Sequence, residues 1–206
     1  ENSTCAFYYT SGTTSNPKCI EYTHYNQLNL IDSICRCFGY MQDSKHLGIL
    51  PIGHTAIINY QLLPTIFLGS TLDLAESYMS IRRDFWEFIS DHQVSNIQTV
   101  PTILEMILNS PTNFTDFQTL PLKYIGCGSA TLAPEMQKNF QNKFTLPVAN
   151  LYGLSESGPS HFDDPFEENW IPGSVGIPID VNECKIFNED MSFADQGKVG
   201  QIGLKG

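Results

Sequence analysis

The sequence predicts an α/β fold in which a mostly parallel sheet is flanked by helices and followed by the start of a β-rich subdomain. Charged residues make up only 16% of the 206 residues, below the roughly 25% of an ordinary soluble chain. Short apolar runs also alternate with longer helix-like runs. Strands buried on both faces read as continuous apolar runs, which is typical of a parallel sheet covered by helices.

The elements follow each other in a strand–helix rhythm. No Asp, Glu, Lys or Arg occurs from His46 to Leu72, a length that could be mistaken for a membrane span. Pro51, Pro64 and several polar residues divide this stretch into a strand, a helix and a second strand. In chain order we expect a strand at 5–9, a helix at 25–38, a strand at 46–50, a helix at 55–67, a strand at 70–74, a helix at 81–92, a strand at 96–100, a helix from Pro101, a strand at 122–125, a helix at 134–144 and a strand at 148–151.

The pattern changes after about residue 158. Residues 1–158 are expected to form the α/β core, and 159–206 a loop and the start of the β-rich subdomain. The segment 160–172 reads as a loop whose acidic cluster we expect to be solvated: Asp163, Asp164, Glu167 and Glu168. Strands without an intervening helix are expected at 182–188 and 199–205.

Charge and cysteine content exclude several classes of protein. The formal net charge of −11 leaves no basic surplus to displace phosphate counterions, so a general nucleic-acid binder is excluded. The six cysteines fit no zinc-binding spacing, and free thiols indicate a cytoplasmic protein. No transmembrane segment is expected.

The loop from Tyr9 to Lys18 is rich in groups that bind phosphate. Hydroxyls and backbone N–H groups donate to phosphate oxygens, Gly12 lets the backbone approach, and Lys18 supplies a positive charge. Pro17 and Cys19 separate this loop from the common phosphate-loop pattern GxxxxGK[ST]. The alternative is a surface turn rich in serine and threonine.

Two further loops follow expected strands, where ligands gather in such sheets. At 126–130 small residues would let a flat group approach the backbone, although this signal is weak by itself and a tight turn is the favoured interpretation. At 150–156 Tyr152 could stack on a base and Glu156 could hold Mg²⁺ beside phosphates. The alternative for this second loop is a helix cap formed by Ser155 or Glu156.

Together these motifs resemble the adenylate-forming superfamily, which includes acyl-CoA synthetases, luciferases and the adenylation domains of nonribosomal peptide synthetases. The loop at 9–18 resembles the signature loop of that family. Further motifs follow in the family's order: Thr23-His24 (TH), Leu50-Pro51-Ile52-Gly53-His54 (LPLFH), Gly128-Ser129-Ala130-Thr131-Leu132 (GSAPL), Tyr152-Gly153-Leu154-Ser155-Glu156 (YGxTE), Gly173-Ser174-Val175-Gly176-Ile177-Pro178 (GSVGxP) and Gly200-Gln201-Ile202 (GEL). The resemblance covers nearly the whole chain.

The resemblance implies an ATP-dependent reaction of a carboxylate, which gives an acyl-adenylate and pyrophosphate before a thiol takes the acyl group. Thr10 and Glu156 would hold Mg²⁺, and the catalytic residues would be these two with Lys18 and His54. ATP would be bound by the following residues: Thr10, Ser11, Gly12, Thr13, Thr14, Lys18, Gly128, Ser129, Ala130, Asn150, Tyr152, Gly153, Ser155 and Glu156. The implied partners are a fatty or aryl acid, ATP, and CoA or an acyl-carrier protein as the acceptor.

Some residues depart from the family's pattern. Ser15 and Cys19 stand where the loop usually has glycine, and Gln201 replaces a glutamate. His54 favours acyl-CoA ligases over amino-acid-activating domains, which usually have aspartate there, and the alternative is a histidine packed in the core.

Three functions follow from these resemblances: an acyl-CoA ligase, an amino-acid-activating domain, or a non-catalytic nucleotide-binding remnant. The resemblance implies a large portion before the loop and a C-terminal domain, so we expect these 206 residues alone to be inactive.

Overall fold

A seven-stranded sheet organises the computed structural model, which describes residues 2–9 and 17–206. Its strands, in chain order, are β3 (Lys45–Gly48), β4 (Thr71–Leu74), β5 (Asn96–Thr99), β6 (Ile125–Gly128), β7 (Val148–Leu154), β8 (Gly158–Phe162) and β9 (Ile177–Pro178). The spatial order is β4-β3-β5-β6-β7-β8-β9. The five strands β3 to β7 are parallel to one another, whereas β8 and β9 are added antiparallel at one edge. The predicted fold class is confirmed.

Two hairpin-like pairs lie outside the large sheet. The first joins β1 (Thr4–Tyr9) to β2 (Cys19–Thr23), and the second joins β10 (Glu183–Phe187) to β11 (Gln201–Lys205). The strands predicted at 182–188 and 199–205 are thereby confirmed. That residues 159–206 form a subdomain distinct from residues 1–158 stays a prediction.

Seven α-helical segments lie between the strands of the described chain. They are α1 (His24–Cys37), α2 (Thr55–Ile57), α3 (Leu63–Leu68), α4 (Tyr78–Ile81), α5 (Phe85–Asp91), α6 (Pro101–Asn109) and α7 (Pro134–Phe144). A π-helical segment, Ile58–Leu62, joins α2 to α3. Pro64 follows it without an N–H to donate to the carbonyl four residues earlier, and the wider turn accommodates that missing bond. In the part of the chain that the structure describes, none of these helices has the length and hydropathy needed to cross a membrane.

Helices cover both faces of the sheet. One core cluster packs Trp86 of α5, Leu104 of α6 and Phe140 of α7 against the sheet. The other packs Ile34 of α1 and Ile57 of α2 against the opposite face. Because β5 and β6 lie between these layers, their residues face apolar neighbours on both sides, which explains the low charge content.

Several element predictions were wrong in their bounds or type. The strand predicted at 148–151 continues to Leu154, and the helix predicted at 55–67 contains the π-helical segment. The strand predicted at 122–125 lies at Ile125–Gly128, because the buried Leu122 is apolar for packing in the core rather than for sheet pairing. The first residues of the loop predicted at 160–172 belong instead to strand β8, which ends at Phe162. The prediction missed this strand because its glycine, proline, serine and histidine are weak strand formers. The helix predicted at 81–92 is divided by a 3₁₀ turn at Arg82–Asp84.

Candidate active site

The carboxyl ends of the parallel strands bring several of the described site residues to one edge of the sheet. Gly128 closes β6 and pairs with Leu151 of the neighbouring β7, which continues to Tyr152. His54 follows β3 at the same edge, two strands away from β6 in the sheet order. Ligands of open α/β sheets bind along such an edge.

Most of the predicted phosphate loop lies outside the described residues: Thr10, Ser11, Gly12, Thr13 and Thr14, with Ser15 and Asn16. The structure does describe Lys18, which is exposed and directly precedes β2. Tyr9 and Cys19 are register partners at the end of the β1–β2 pair. The roles predicted for the loop therefore stay predictions.

A tight turn at residues 155–157 joins β7 to the antiparallel β8. Glu156 is exposed at this turn, and the hydroxyl of Tyr22 donates to the backbone carbonyl of Ser155 over 3.0 Å. Burial raises the pKa of Tyr22 well above its usual value, and the charges of Tyr8 and Glu156 add to this effect. Tyr22 is therefore a fixed neutral donor that holds the turn against β2, the strand that follows Lys18.

The turn is not a helix cap. Gly158 adopts a φ of +67°, and a Cβ there would lie 2.5 Å from Leu30 of α1. This left-handed conformation reverses the chain into β8, so the reading of Ser155 or Glu156 as a helix N-cap is wrong. The carboxylate of Glu156 points from a β-turn and is left open to a ligand.

Tyr152 lies half-buried on β7 opposite His161 of β8. The two rings meet edge to face, with centroids 5.4 Å apart and planes at 70°. The Ser160 hydroxyl lies 3.0 Å from Nδ1 of His161, and burial lowers the pKa of His161. The imidazole of His161 thus packs against the Tyr152 ring and limits its orientation, whereas the predicted base-stacking role of Tyr152 stays a prediction.

Position 153 requires glycine because the neighbouring strand lies too close for a side chain. A Cβ at Gly153 would overlap the backbone carbonyl of Gly158 across the β7–β8 pair. The close approach tightens the hairpin that carries Glu156.

Asn150 is buried, with 6% of its surface exposed. Its side-chain amide donates to the backbone carbonyl of Ser174 over 2.7 Å. Ser174 lies between Gly173 and Gly176, which adopt φ values of +88° and +78°. Asn150 therefore connects the base of β7 to the glycine-rich segment 173–178, in addition to the nucleotide-binding role predicted for it.

The small residues at 126–130 mainly accommodate the protein itself. A Cβ at Gly126 would overlap the side chain of Gln98, and one at Gly128 would lie 2.5 Å from the carbonyl of Leu151. Ser129 has a φ of +65°, and both Ser129 and Ala130 are exposed beyond the strand. The turn residues are therefore open to a ligand, whereas the space above Gly126 is already filled.

His54 is exposed and caps the N-terminus of α2. Its Nδ1 accepts a hydrogen bond from the backbone N–H of Ala56 over 3.1 Å. The alternative of a histidine packed in the core is wrong for this position, and His46 of β3 is the fully buried histidine instead. With Nδ1 accepting, the remaining ring nitrogen of a neutral His54 carries the proton.

Sequence reasoning missed a buried polar network beneath this edge. Asp163 is 4% exposed, and its carboxylate accepts a 2.8 Å bond from the indole N–H of Trp170. Gln137 of α7 donates to Val148 and accepts from the N–H of Gly173. The prediction of a solvated acidic cluster is therefore wrong for Asp163, although Glu167 and Glu168 are exposed. A neighbouring tryptophan seven positions away was the available signal.

The donor set suits Mg²⁺ only together with a phosphate ligand. Among the residues that the structure describes, no group of three or more His, Cys, Asp or Glu side chains could hold a metal ion. Mg²⁺ commonly binds through one or two carboxylates and the phosphates of a substrate. The exposed carboxylate of Glu156 fits that requirement, whereas a resident metal centre built only from described side chains does not.

A parallel sheet with a binding edge of this kind defines an α/β protein that places its ligand beyond the strand ends. The family model described as AMP-binding enzyme matches residues 1–206, so the chain belongs to that family.

Relatives among curated proteins are CoA ligases. The chain is 26% identical over 202 residues to the oxalate–CoA ligase of Arabidopsis thaliana, covering 97% of this chain and 39% of the relative. It is 29% identical to the long-chain-fatty-acid–CoA ligase of Bacillus subtilis, covering 100% of this chain and 37% of the relative. The chain thus spans less than two-fifths of the length of these relatives.

Solved structures agree with the fold. The chain superposes on O-succinylbenzoate coenzyme A synthetase of Bacillus subtilis, in complex with ATP and a magnesium ion, with a TM-score of 0.85 and 25% identity. That match covers 100% of this chain and 42% of the solved one. ATP-bound MatB of Rhodopseudomonas palustris matches with a TM-score of 0.87, 23% identity and coverage of 100% and 40%.

Proposed function

We propose that the natural full-length protein containing this chain is an acid–thiol ligase. It activates a carboxylic acid with ATP, releases pyrophosphate, and transfers the acyl group from the adenylate to CoA. The observation that carries the proposal is the β7–β8 turn, which presents Glu156 beside the strand that follows Lys18. Membership of the AMP-binding enzyme family and the CoA-ligase relatives support it.

The chemistry asked of these residues is positioning and charge stabilisation. Lys18, with the hydroxyls of the loop before it, would neutralise charge on the phosphate oxygens, where a positioned cation stabilises the transition state. Tyr152 would stack on the adenine while His161 fixes its ring. Magnesium, which arrives with the ATP phosphates, would supply further positive charge there, with Glu156 and Thr10 as its protein ligands.

The substrate is proposed as a fatty or aryl acid, because His54 resembles the residue of acyl-CoA ligases at that position. An acyl-carrier protein is the other acceptor consistent with the family. We also propose that these 206 residues alone do not complete the reaction, since they span under two-fifths of the CoA-ligase relatives.

Carboxylate-dependent exchange of labelled pyrophosphate into ATP tests the activation step in the full-length protein. A panel of fatty, aryl, dicarboxylic and amino acids is compared, with CoA thioester formation measured separately. Glu156→Gln keeps the size of the side chain and removes its charge, so exchange should fall at least about tenfold. Glu168→Gln, an equally exposed carboxylate in the loop after β8, is the matched control.

Each outcome separates the candidate functions. Exchange with amino acids alone would replace the acyl-CoA ligase by an amino-acid-activating domain. Binding of ATP and Mg²⁺ in calorimetry without exchange for any acid would indicate a non-catalytic remnant. Exchange by the isolated 206 residues would refute the proposal that they are inactive alone.

A further inference from the structure

A basic cleft lies where α4 and the following 3₁₀ turn meet the end of α6. It has a volume of about 450 Å³ and is lined by Met79, Arg82, Arg83, Ser110 and Pro111. None of these residues belongs to the predicted nucleotide site.

The cleft is unusual because its arginines have no acidic partner among the described residues. The chain has three arginines and a net charge of −11. Arg36 forms ion pairs with both Asp32 and Asp180, as expected in so acidic a chain. Arg82 and Arg83, adjacent in sequence, form no ion pair within 4.0 Å with any described carboxylate. Two positive charges that line one cleft repel each other, and an anion bound there would relieve that repulsion.

Hydrogen bonds orient part of this cleft. Nε of Arg82 donates to the hydroxyl of Ser110 over 3.2 Å, and that buried hydroxyl donates to the carbonyl of Met106 over 2.6 Å. The bond uses Nε, and neither Nη group of Arg82 donates a hydrogen bond to a described residue. A guanidinium fork presented in this way matches the geometry of phosphate oxygens.

Lys143 is a third cation near this cleft, and it contacts Ser110 as Arg82 does. Nζ of Lys143 on α7 donates to the carbonyls of Leu108 and Ser110 over 2.5 and 3.4 Å. Lys143 and Arg82 satisfy polar groups at the end of α6, which is a common use of cations at helix C-termini. Arg83 has no such structural bond among the described residues, so capping does not explain the pair.

We propose that this cleft binds a phosphate monoester through Arg82 and Arg83. A phosphate monoester carries a charge of about −1.5 to −2 and three acceptor oxygens, which matches two guanidinium groups better than a single carboxylate does. The group could belong to a phosphorylated metabolite or to a lipid headgroup that carries a phosphate monoester, as phosphatidate does. Met79, 59% exposed at the rim, would contact the uncharged part of either ligand.

Titration calorimetry of the full-length protein with inorganic phosphate at low ionic strength tests the site. The double variant Arg82→Gln/Arg83→Gln should bind phosphate at least about tenfold more weakly than the natural protein. Lys123→Gln/Lys198→Gln removes the same charge from exposed positions elsewhere and should leave the affinity within about twofold. Any phosphate bound near Lys18 contributes equally to all three proteins.

A single substitution separates a loss of phosphate binding from a loss of the fold. Arg83→Gln keeps the bond between Arg82 and Ser110, so it should retain the natural melting temperature while phosphate affinity falls. Equal affinity in the natural protein and both arginine variants would overturn the proposal. Absence of saturable binding, or an equal loss in the lysine control, would overturn it as well.

Vesicles distinguish the two sources of the phosphate group. Sedimentation with phosphatidate vesicles that depends on Arg82 and Arg83, and is absent with phosphatidylcholine, would identify a lipid headgroup. Phosphate binding without vesicle binding would identify a phosphorylated metabolite.

Discussion

Acidification should destabilise the protein through His46, the histidine of β3 whose side chain is fully buried. Neither ring nitrogen has a hydrogen-bond partner among the described residues, and the ring packs edge-on against Tyr40 at 4.7 Å. Burial lowers the pKa of His46 from 6.5 to about 4, because the protonated ring cannot be solvated there.

The direction of the pH effect follows from this lowered pKa. The unfolded chain binds a proton at His46 below about pH 6.5, whereas the folded chain binds it only below about pH 4. The stability contributed by the neutral ring is therefore complete above pH 6.5 and is lost as the pH falls toward 4. At 1.36 kcal/mol per pH unit, the full loss amounts to about 3 kcal/mol.

Replacing the titrating ring isolates this contribution. His46→Phe keeps the ring and its contact with Tyr40 but cannot bind a proton. Urea unfolding of the full-length protein, followed by tryptophan fluorescence, is measured from pH 7 to pH 4.5 for the natural protein and the variant. The natural protein should lose about 2 to 3 kcal/mol more than the variant over this range.

The comparison depends on slopes, because the substitution also changes packing at every pH. His161 is buried too and destabilises the fold at low pH in both proteins, so its effect cancels. His24→Gln removes an exposed histidine and should leave the slope of the natural protein unchanged. Parallel curves for the natural protein and His46→Phe would refute the reasoning.

Three further substitutions test the packing beneath the site. Gly176→Ala should lower the free energy of unfolding by about 2 kcal/mol or more in urea melts, because its φ is +78° and a Cβ would overlap the carbonyl of Phe162. Phe140→Ala should lose about 3 to 5 kcal/mol by thermal unfolding, since the ring is fully buried and packs against Phe144 with ring centroids 4.7 Å apart. Burial raises the pKa of Asp163 from 3.8, so the folded state disfavours its ionised form. Asp163→Asn removes this unfavourable contribution, so its urea midpoint should rise more between pH 3.5 and pH 7 than that of the natural protein.

The sequence alone predicted the parallel core because its signals were local. Helix α7 was predicted at its observed bounds, since Pro134 begins it and an apolar face carries Phe140 and Phe144. The uncharged stretch was correctly divided, because prolines and polar residues interrupt it. These features depend on neighbours along the chain, where sequence patterns are informative.

The prediction failed where distant residues decide the structure. Strand β8 forms from weak strand formers because Gly158 allows the tight turn and β7 supplies an open edge. Asp163 is buried because Trp170 donates to its carboxylate and Gln137 of α7 bonds to the nearby Gly173, and of these two residues only the tryptophan was close enough in sequence to be a signal. Arg82 likewise forms its hydrogen bond with Ser110, which lies 28 positions away in the sequence.

The change from parallel to antiparallel pairing explains why the candidate site is centred on β7. After β3, β5 and β6 the chain continues to helical segments that pack against the sheet, as parallel connections require. After β7 it turns within three residues into β8, so no helix follows the carboxyl end of this strand. Tyr152 and Glu156 are consequently presented by a short, glycine-tightened hairpin. The bond between Tyr22 and Ser155 then fixes that hairpin to the strand after Lys18, so the nucleotide site that we propose would combine residues from β7 with Lys18.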